Sequence, residues 1–186
     1  SIEKNRCPWC GTEPIYVKYH DEEWGQPIHD DRLLFEFLVL ESFQAGLSWL
    51  TVLKKRENFR KAFANFDAKK VSKFDQAKFD ALMQDAGIIR NRLKIEAAIN
   101  NAQRFLEIQK EFGSFDKYIW SFTGGKTIVN KPKTLKDLPA KTAISDAMSK
   151  DMGLRGFKFR GSTICYAFMQ AVGMVDDHLV DCWRKN

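Results

Sequence analysis

A chain of 186 residues, 44% of them hydrophobic with 15 Phe and 5 Trp, can close one packed interior and has no need of disulfides to do so. With 30 Lys and Arg against 24 Asp and Glu, its net charge of +6 favours a polyanionic partner without identifying one. No run approaches the ~20 apolar residues that span a bilayer, and the opening SIEKNRCPWCG holds no apolar signal stretch, so a soluble, cytoplasmic protein with no membrane partner is expected.

In chain order, the first strongly periodic segment follows Asp30, a candidate N-cap. Leu33, Leu34, Phe37, Leu38 and Glu41 recur at helical spacing there and predict a helix over 31–44. Helices follow over 48–65, 75–85, 91–112, 115–122, 143–152 and 162–173; in the fourth, Ile95, Ile99, Ala102 and Leu106 succeed the cap Asn91. Breaks fall at Gly46, Gly87, Gly113, Gly124–Gly125 and Gly161. Residues 123–140, with a Gly pair, a Lys cluster and two Pro, read as a polar, non-catalytic connection with room for a short irregular ribbon. Strand-like alternation is almost absent, so the expected fold is all-α, an orthogonal helical bundle. One domain over 1–186 is expected, with 1–65 and 155–186 forming one lobe and 66–154 a second across a shared cleft.

Cys and His cluster at the two ends: Cys7, Cys10 and His20, then His178 and Cys182. If His178 and Cys182 lie on a helix, their four-residue spacing puts both on one face, and two ligands from the other end complete a tetrahedron around zinc. The plainer alternative makes each Cys a small buried apolar residue and each His a satisfied polar group. Grouping at both termini favours a structural ion, which in small peptides contributes on the order of 10 kcal/mol. Cys7-Pro8-Trp9-Cys10 also resembles a redox turn, but it does not open a helix after a core strand. His20-Asp21-Glu22 matches the H-x-E of zinc deaminases, yet the downstream P-C-x-x-C is missing, and a deaminase stays a minor alternative.

Tyr16, Tyr19 and Trp24 fall within ten residues, and Glu41 and Trp49 flank the end of the first predicted helix. Aromatic faces stack on bases and a carboxylate accepts from an exocyclic amine, so this set could hold a flipped adenine. Ordinary core packing accounts for the aromatics equally well. Glu41, however, interrupts an apolar stripe and has to be paired or used. Two Gly-containing turns, 86–92 and 155–163, precede helices and carry flanking cations, a combination that either binds phosphate or simply caps a helix with a solvated basic face.

Long stretches of these residues resemble the 3-methyladenine DNA glycosylase I family of the helix-hairpin-helix glycosylase superfamily: YHDEEWG (19–25), QAGLSWLTVLKKRENFR (44–60), QDAGIIRNR (84–92) and RGFKFRGSTICYAFMQAVG (155–173). The resemblance covers nearly the whole length. It implies a bacterial, cytoplasmic enzyme, nucleoid-associated when acting, that as a monomer hydrolyses the N-glycosidic bond of 3-methyladenine in alkylated double-stranded DNA, releasing the base. It further implies one structural zinc on Cys7, His20, His178 and Cys182, with no required place for Cys10. The implied recognition pocket is Tyr16, Tyr19, Trp24, Glu41 and Trp49, with Glu41 as the catalytic carboxylate at the adenine amino edge. Leu47 is implied to enter the duplex, and Lys158, Arg160, Gly161, Ser162 and Thr163 to meet DNA phosphate. Asp176 falls near the aspartate most of the superfamily uses and this family lacks; it is read here as a solvated helix-start residue beside a zinc ligand. No lysine stands at the superfamily's Schiff-base position, which implies a monofunctional enzyme leaving an abasic site. A zinc-dependent, non-enzymatic DNA-binding module is the alternative.

Overall fold

The computed structural model describes residues 4–186. Its helices are α1 (Pro14–Glu22), α2 (Asp31–Gln44), α3 (Trp49–Lys54), α4 (Arg56–Ala62), α5 (Ala68–Val71), α6 (Gln76–Met83), α7 (Arg92–Phe112), α8 (Phe115–Trp120), α9 (Ala143–Leu154) and α10 (Ser162–Ala171). The strands β1 (Ile128–Val129) and β2 (Val175–Asp176) form one short parallel pair, with Ile128 opposite Val175. The expected all-α class holds.

Local chemistry sets the helix ends. Asp30 accepts from Leu33 N at 3.0 Å to start α2, and Asn91 accepts from Lys94 N at 3.1 Å to start α7. α2 is buried on every side from Leu34 to Phe43 and packs on α3, α7, α8 and α10. A residue near its C-terminal end is therefore carried into the interior whatever its polarity. Glu36, fully buried on the same helix, accepts from Arg56 Nε at 2.8 Å and Arg60 Nε at 3.0 Å, which fastens α2 to α4.

Three features depart from the sequence expectations, the first being the unexpected short α5, started by Asp67 accepting from Lys69 N and Lys70 N. α1 forms where no helix was expected, with Pro14 in its first turn, a position that needs no N–H. The expected helix over 48–65 is instead α3 and α4, broken at Lys55, followed by a turn in which Ala64, Asn65 and Phe66 all have φ near +50 to +60°. Left-handed residues cost roughly 1–2 kcal/mol each. Burying Phe63 and Phe66, whose rings stack 6.1 Å apart, offsets this at ~1.5–3 kcal/mol per ring.

The 123–140 segment does hold a ribbon, but its partner is distant: β1 pairs with the strand after α10. A second long-range seam runs alongside, with Gly25 N donating to Gln170 O and Ile28 N to Val172 O. Gly173 makes it possible. At φ +76° it lies so close to Gln26 that a Cβ would sit 2.3 Å from backbone carbon. The two ends of the chain thereby meet.

Candidate active site

All five aromatic and acidic residues expected in a pocket line one concavity of about 360 Å³. α1 presents Tyr16 and Tyr19 one turn apart, the turn after it presents Trp24, and α2 brings Glu41. Ser48 accepts from Thr51 N at 3.2 Å and starts α3 so that Trp49 is its first residue. Tyr19 and Trp49 stand with ring centroids 5.5 Å apart.

Sequence reasoning missed Trp9, which also lines this pocket. Its ring meets Tyr16 at 5.1 Å and Trp24 at 4.9 Å, both edge-on. The signal was present, since Trp9 lies between the two cysteines of the first segment, but it was absorbed into the reading of that motif. Leu135 and Leu138 were missed too. They belong to the segment read as a plain connection, and that segment forms one wall of the pocket.

Glu41 is 4% exposed, and no described residue donates a hydrogen bond to it. Burial alone pushes its carboxyl up to about 8, so it is mainly protonated near neutrality while the pocket is empty. Burial, reinforced by Glu41, also lifts the Tyr19 phenol well above its ordinary value. The indole N–H groups of Trp9 and Trp49 are buried without partners among the described residues. The pocket thus combines aromatic faces with unused polar capacity, which suits a flat ligand bearing donors and positive charge.

Leu47 is 39% exposed at the tip of the turn after α2, next to Gly46 at φ +79°. The connection between α9 and α10 presents Lys158, Arg160, Gly161 and Thr163 to solvent, with Ser162 half-buried. Asn101 on α7 clamps it, donating to Lys158 O and accepting from Lys158 N, each at 2.9 Å. Gly161 opens α10 with no side-chain cap, whereas Ser162 Oγ donates to Asp146 at 2.6 Å. The other expected phosphate turn is more self-contained: Gly87 N donates to Asp85 at 2.8 Å, and Asn91 caps the helix behind it.

At the termini, donor atoms of Cys7, His20 and Cys182 lie within 4.8 Å of one another, all buried. His178 stands beside this triad, its ring 5.3 Å from that of His20 and its Nε2 buried without a partner among the described residues. Each His is oriented through Nδ1 by a carboxylate, His20 by Asp21 at 2.8 Å and His178 by Asp176 at 2.7 Å, the outer-shell pattern of metal-bound imidazoles. Backbone N–H groups of Leu179 and Arg184 donate to the Cys7 and Cys182 sulfurs at 3.4 Å. These donors fit a tetrahedral zinc. Cys10 instead donates to the carbonyl of Cys7.

Three expectations here are corrected. His178 and Cys182 do not share a helix, because the chain after β2 runs through turns stapled to Pro132 and Asn5, so spacing along a helix is not what brings them together. Asp176 is neither solvated nor at a helix start: it is a fully buried strand residue that accepts from His178 and from Asn186 N. Glu22 is exposed and within ion-pair reach of Lys18, which leaves the H-x-E reading without a base at the metal site.

The fold and site define a helical protein with an aromatic pocket of a size for one base, an exposed leucine in the turn after α2 and an exposed basic connection before α10. A methyladenine glycosylase family model matches residues 9–185, and the chain belongs to that family. It is 52% identical over 177 residues to a DNA-3-methyladenine glycosylase of Haemophilus influenzae, covering 95% of this chain and 96% of that one. Identity to DNA-3-methyladenine glycosylase 1 of Escherichia coli is 50%, covering 95% of each. Among solved structures, a 3-methyladenine DNA glycosylase I superposes with a TM-score of 0.96 at 46% identity, covering 98% of this chain and 100% of that one. One from Staphylococcus aureus, described in terms of 3-methyladenine recognition, gives 0.95 at 40%, covering 98% and 97%.

Proposed function

We propose that this protein is a monofunctional DNA glycosylase that hydrolyses the N-glycosidic bond of 3-methyladenine in alkylated duplex DNA, releasing the base and leaving an abasic site. The observation that carries this is Glu41, a buried carboxyl without a protein donor, enclosed by aromatic rings. Its relatives are named for this reaction.

Methylation at N3 gives the ring a positive charge while it is still bound to the sugar, which makes the base a good leaving group. Selection is then the harder task. A cationic ring gains attraction from the faces of Tyr16, Trp24 and Trp49, and from Glu41 once it ionises. Neutral adenine offers no charge to draw the proton off Glu41, so the carboxyl stays protonated and its strongest contact is missing. Extruding a base costs a few kcal/mol, least for a damaged one. Leu47 fills the space the base vacates, while Lys158, Arg160, Gly161, Ser162 and Thr163 hold backbone phosphate as the hairpin of the helix-hairpin-helix superfamily. Water attacks the sugar; among the described residues no lysine lines the pocket to form a Schiff base.

One zinc on Cys7, His20, His178 and Cys182 supplies structure rather than chemistry, tying the first segment to the last so that Trp9, Tyr19 and Trp24 keep their places. The protein acts as a monomer in the cytoplasm, on nucleoid DNA, through one domain whose lobes share the cleft. Incubation with methylated duplex DNA tests the reading: free 3-methyladenine and an intact, alkali-labile strand are expected. Binding without release would favour a non-enzymatic module.

A further inference from the structure

The loop that walls the aromatic pocket at Leu135 and Leu138 carries charge that the proposed reaction has not used. Residues 130–142 border a second concavity of about 580 Å³, into which Lys131 and Lys133 project beside Asn130 and Thr142. Leu138 lines both this concavity and the aromatic pocket, so the two are neighbours across one side chain. Pro139 connects it to a groove that reaches Gly46 and Thr163, the flanks of the apolar tip and of the hairpin helix.

Its two carboxylates are already occupied. Asp137 accepts from Lys133 N at 2.9 Å and Thr134 N at 3.1 Å. Asp177 accepts from Tyr166 at 2.5 Å, Gln170 at 2.9 Å and Asn130 at 2.7 Å. Among the described residues, neither the Lys131 nor the Lys133 ammonium has a carboxylate within ion-pair distance, and both side chains are exposed. Lys136 and Lys141 add two more exposed cations on the same loop. The loop is also held in place: Asn130 N donates to Asp176 O, Val180 N to Pro132 O, and Thr134 with Asp137 forms a capping box. A pinned loop with unpaired cations is preorganised for an anion, since little ordering entropy is lost on binding.

A nucleotide turned into the aromatic pocket has two flanking phosphodiesters. The lysine loop borders the pocket through Leu138, and Pro139 and Ala140 line one groove with Gly46, Thr163 and Ile164. Resting on the glycosylase reading, we infer that Lys131 and Lys133 bind a backbone phosphate of the lesion-bearing strand, distinct from the phosphate held by Lys158 to Thr163. The loop is then a second DNA contact as well as a pocket wall.

Every phosphate the protein ceases to neutralise lowers the slope of log K against log salt by about 0.9 for duplex DNA. The test compares Lys131→Gln/Lys133→Gln with Lys69→Gln/Lys70→Gln, which removes the same charge from a separate concavity. Binding to a duplex with a stable abasic-site analogue is measured across salt, with affinity for free 3-methyladenine alongside. The slope should fall by about 1 to 2 in the first variant alone, with free-base affinity unchanged in both. Equal slopes in the two variants, or no change in the first, would overturn the inference, as would failure of the unsubstituted protein to bind that duplex. Release of base from methylated DNA by the unsubstituted protein, scored in parallel, tests the glycosylase reading separately.

Discussion

Lys94 donates from its ammonium to the carbonyl of Phe43 at 2.8 Å, joining the first turn of α7 to the last turn of α2. A second bond reaches Ala45 O at 2.5 Å, so one cation holds the open end of the helix that carries Glu41 and the turn that carries Leu47. Burial lowers the pKa of this ammonium. Lys94→Met should cost about 1–3 kcal/mol in denaturant unfolding, because two carbonyls lose their donor. Excision from duplex DNA should fall about tenfold or more while free-base affinity changes little. Unchanged excision would show that the tip needs no such support.

The same helix holds the hairpin through Asn101. Asn101→Leu removes both bonds to Lys158 without changing any charge, so DNA affinity should drop about five- to tenfold while its salt dependence stays the same. That separates positioning of the hairpin from phosphate neutralisation. A smaller salt slope in this variant would contradict the division.

Glu41 gives a pH signature. Its carboxyl ionises near 4.5 in the unfolded chain and near 8 in the folded protein. Between those values the folded form holds one proton more, so stability is greatest below the window and declines as pH rises through it. Each unit of the shift corresponds to about 1.4 kcal/mol. Glu41→Gln lacks this titration. Its melting temperature should therefore gain on that of the unsubstituted protein from pH 5 to pH 8; parallel curves would mean that Glu41 is not held neutral.

Much of this arrangement is readable in the sequence. Asp30 and Asn91 announce α2 and α7 because a short acceptor ahead of an apolar period is a local device, and Glu41 stands out because nothing local explains a carboxyl in that stripe. The failures are long-range. Trp9 joins the pocket only because the termini meet, and Leu135 and Leu138 only because β1 pairs with a strand about 45 residues further on. The left-handed turn at Ala64–Phe66 contains no glycine and is offset by ring burial that no window of sequence displays. α1 did carry a local signal, Pro14 in its first turn, that was overlooked.

The metal site offers a plain check. Metal analysis should find one zinc per chain, and Cys182→Ala should lower the melting temperature by roughly 20 °C or more, since structural zinc contributes on the order of 10 kcal/mol in small peptides and each kcal/mol is about 2–4 °C at this length. Free-base binding in the folded variant should persist at low temperature. Equal melting temperatures would remove zinc from the account.

In the proposed reaction one buried carboxyl among aromatic rings selects the cationic base. The direct measurement is the ratio of 3-methyladenine to unmodified adenine released from the same methylated duplex, for the unsubstituted protein and for Glu41→Gln. A large ratio is expected for the unsubstituted protein, collapsing in the variant through loss of 3-methyladenine release. An equal ratio and equal rate in both proteins would contradict it.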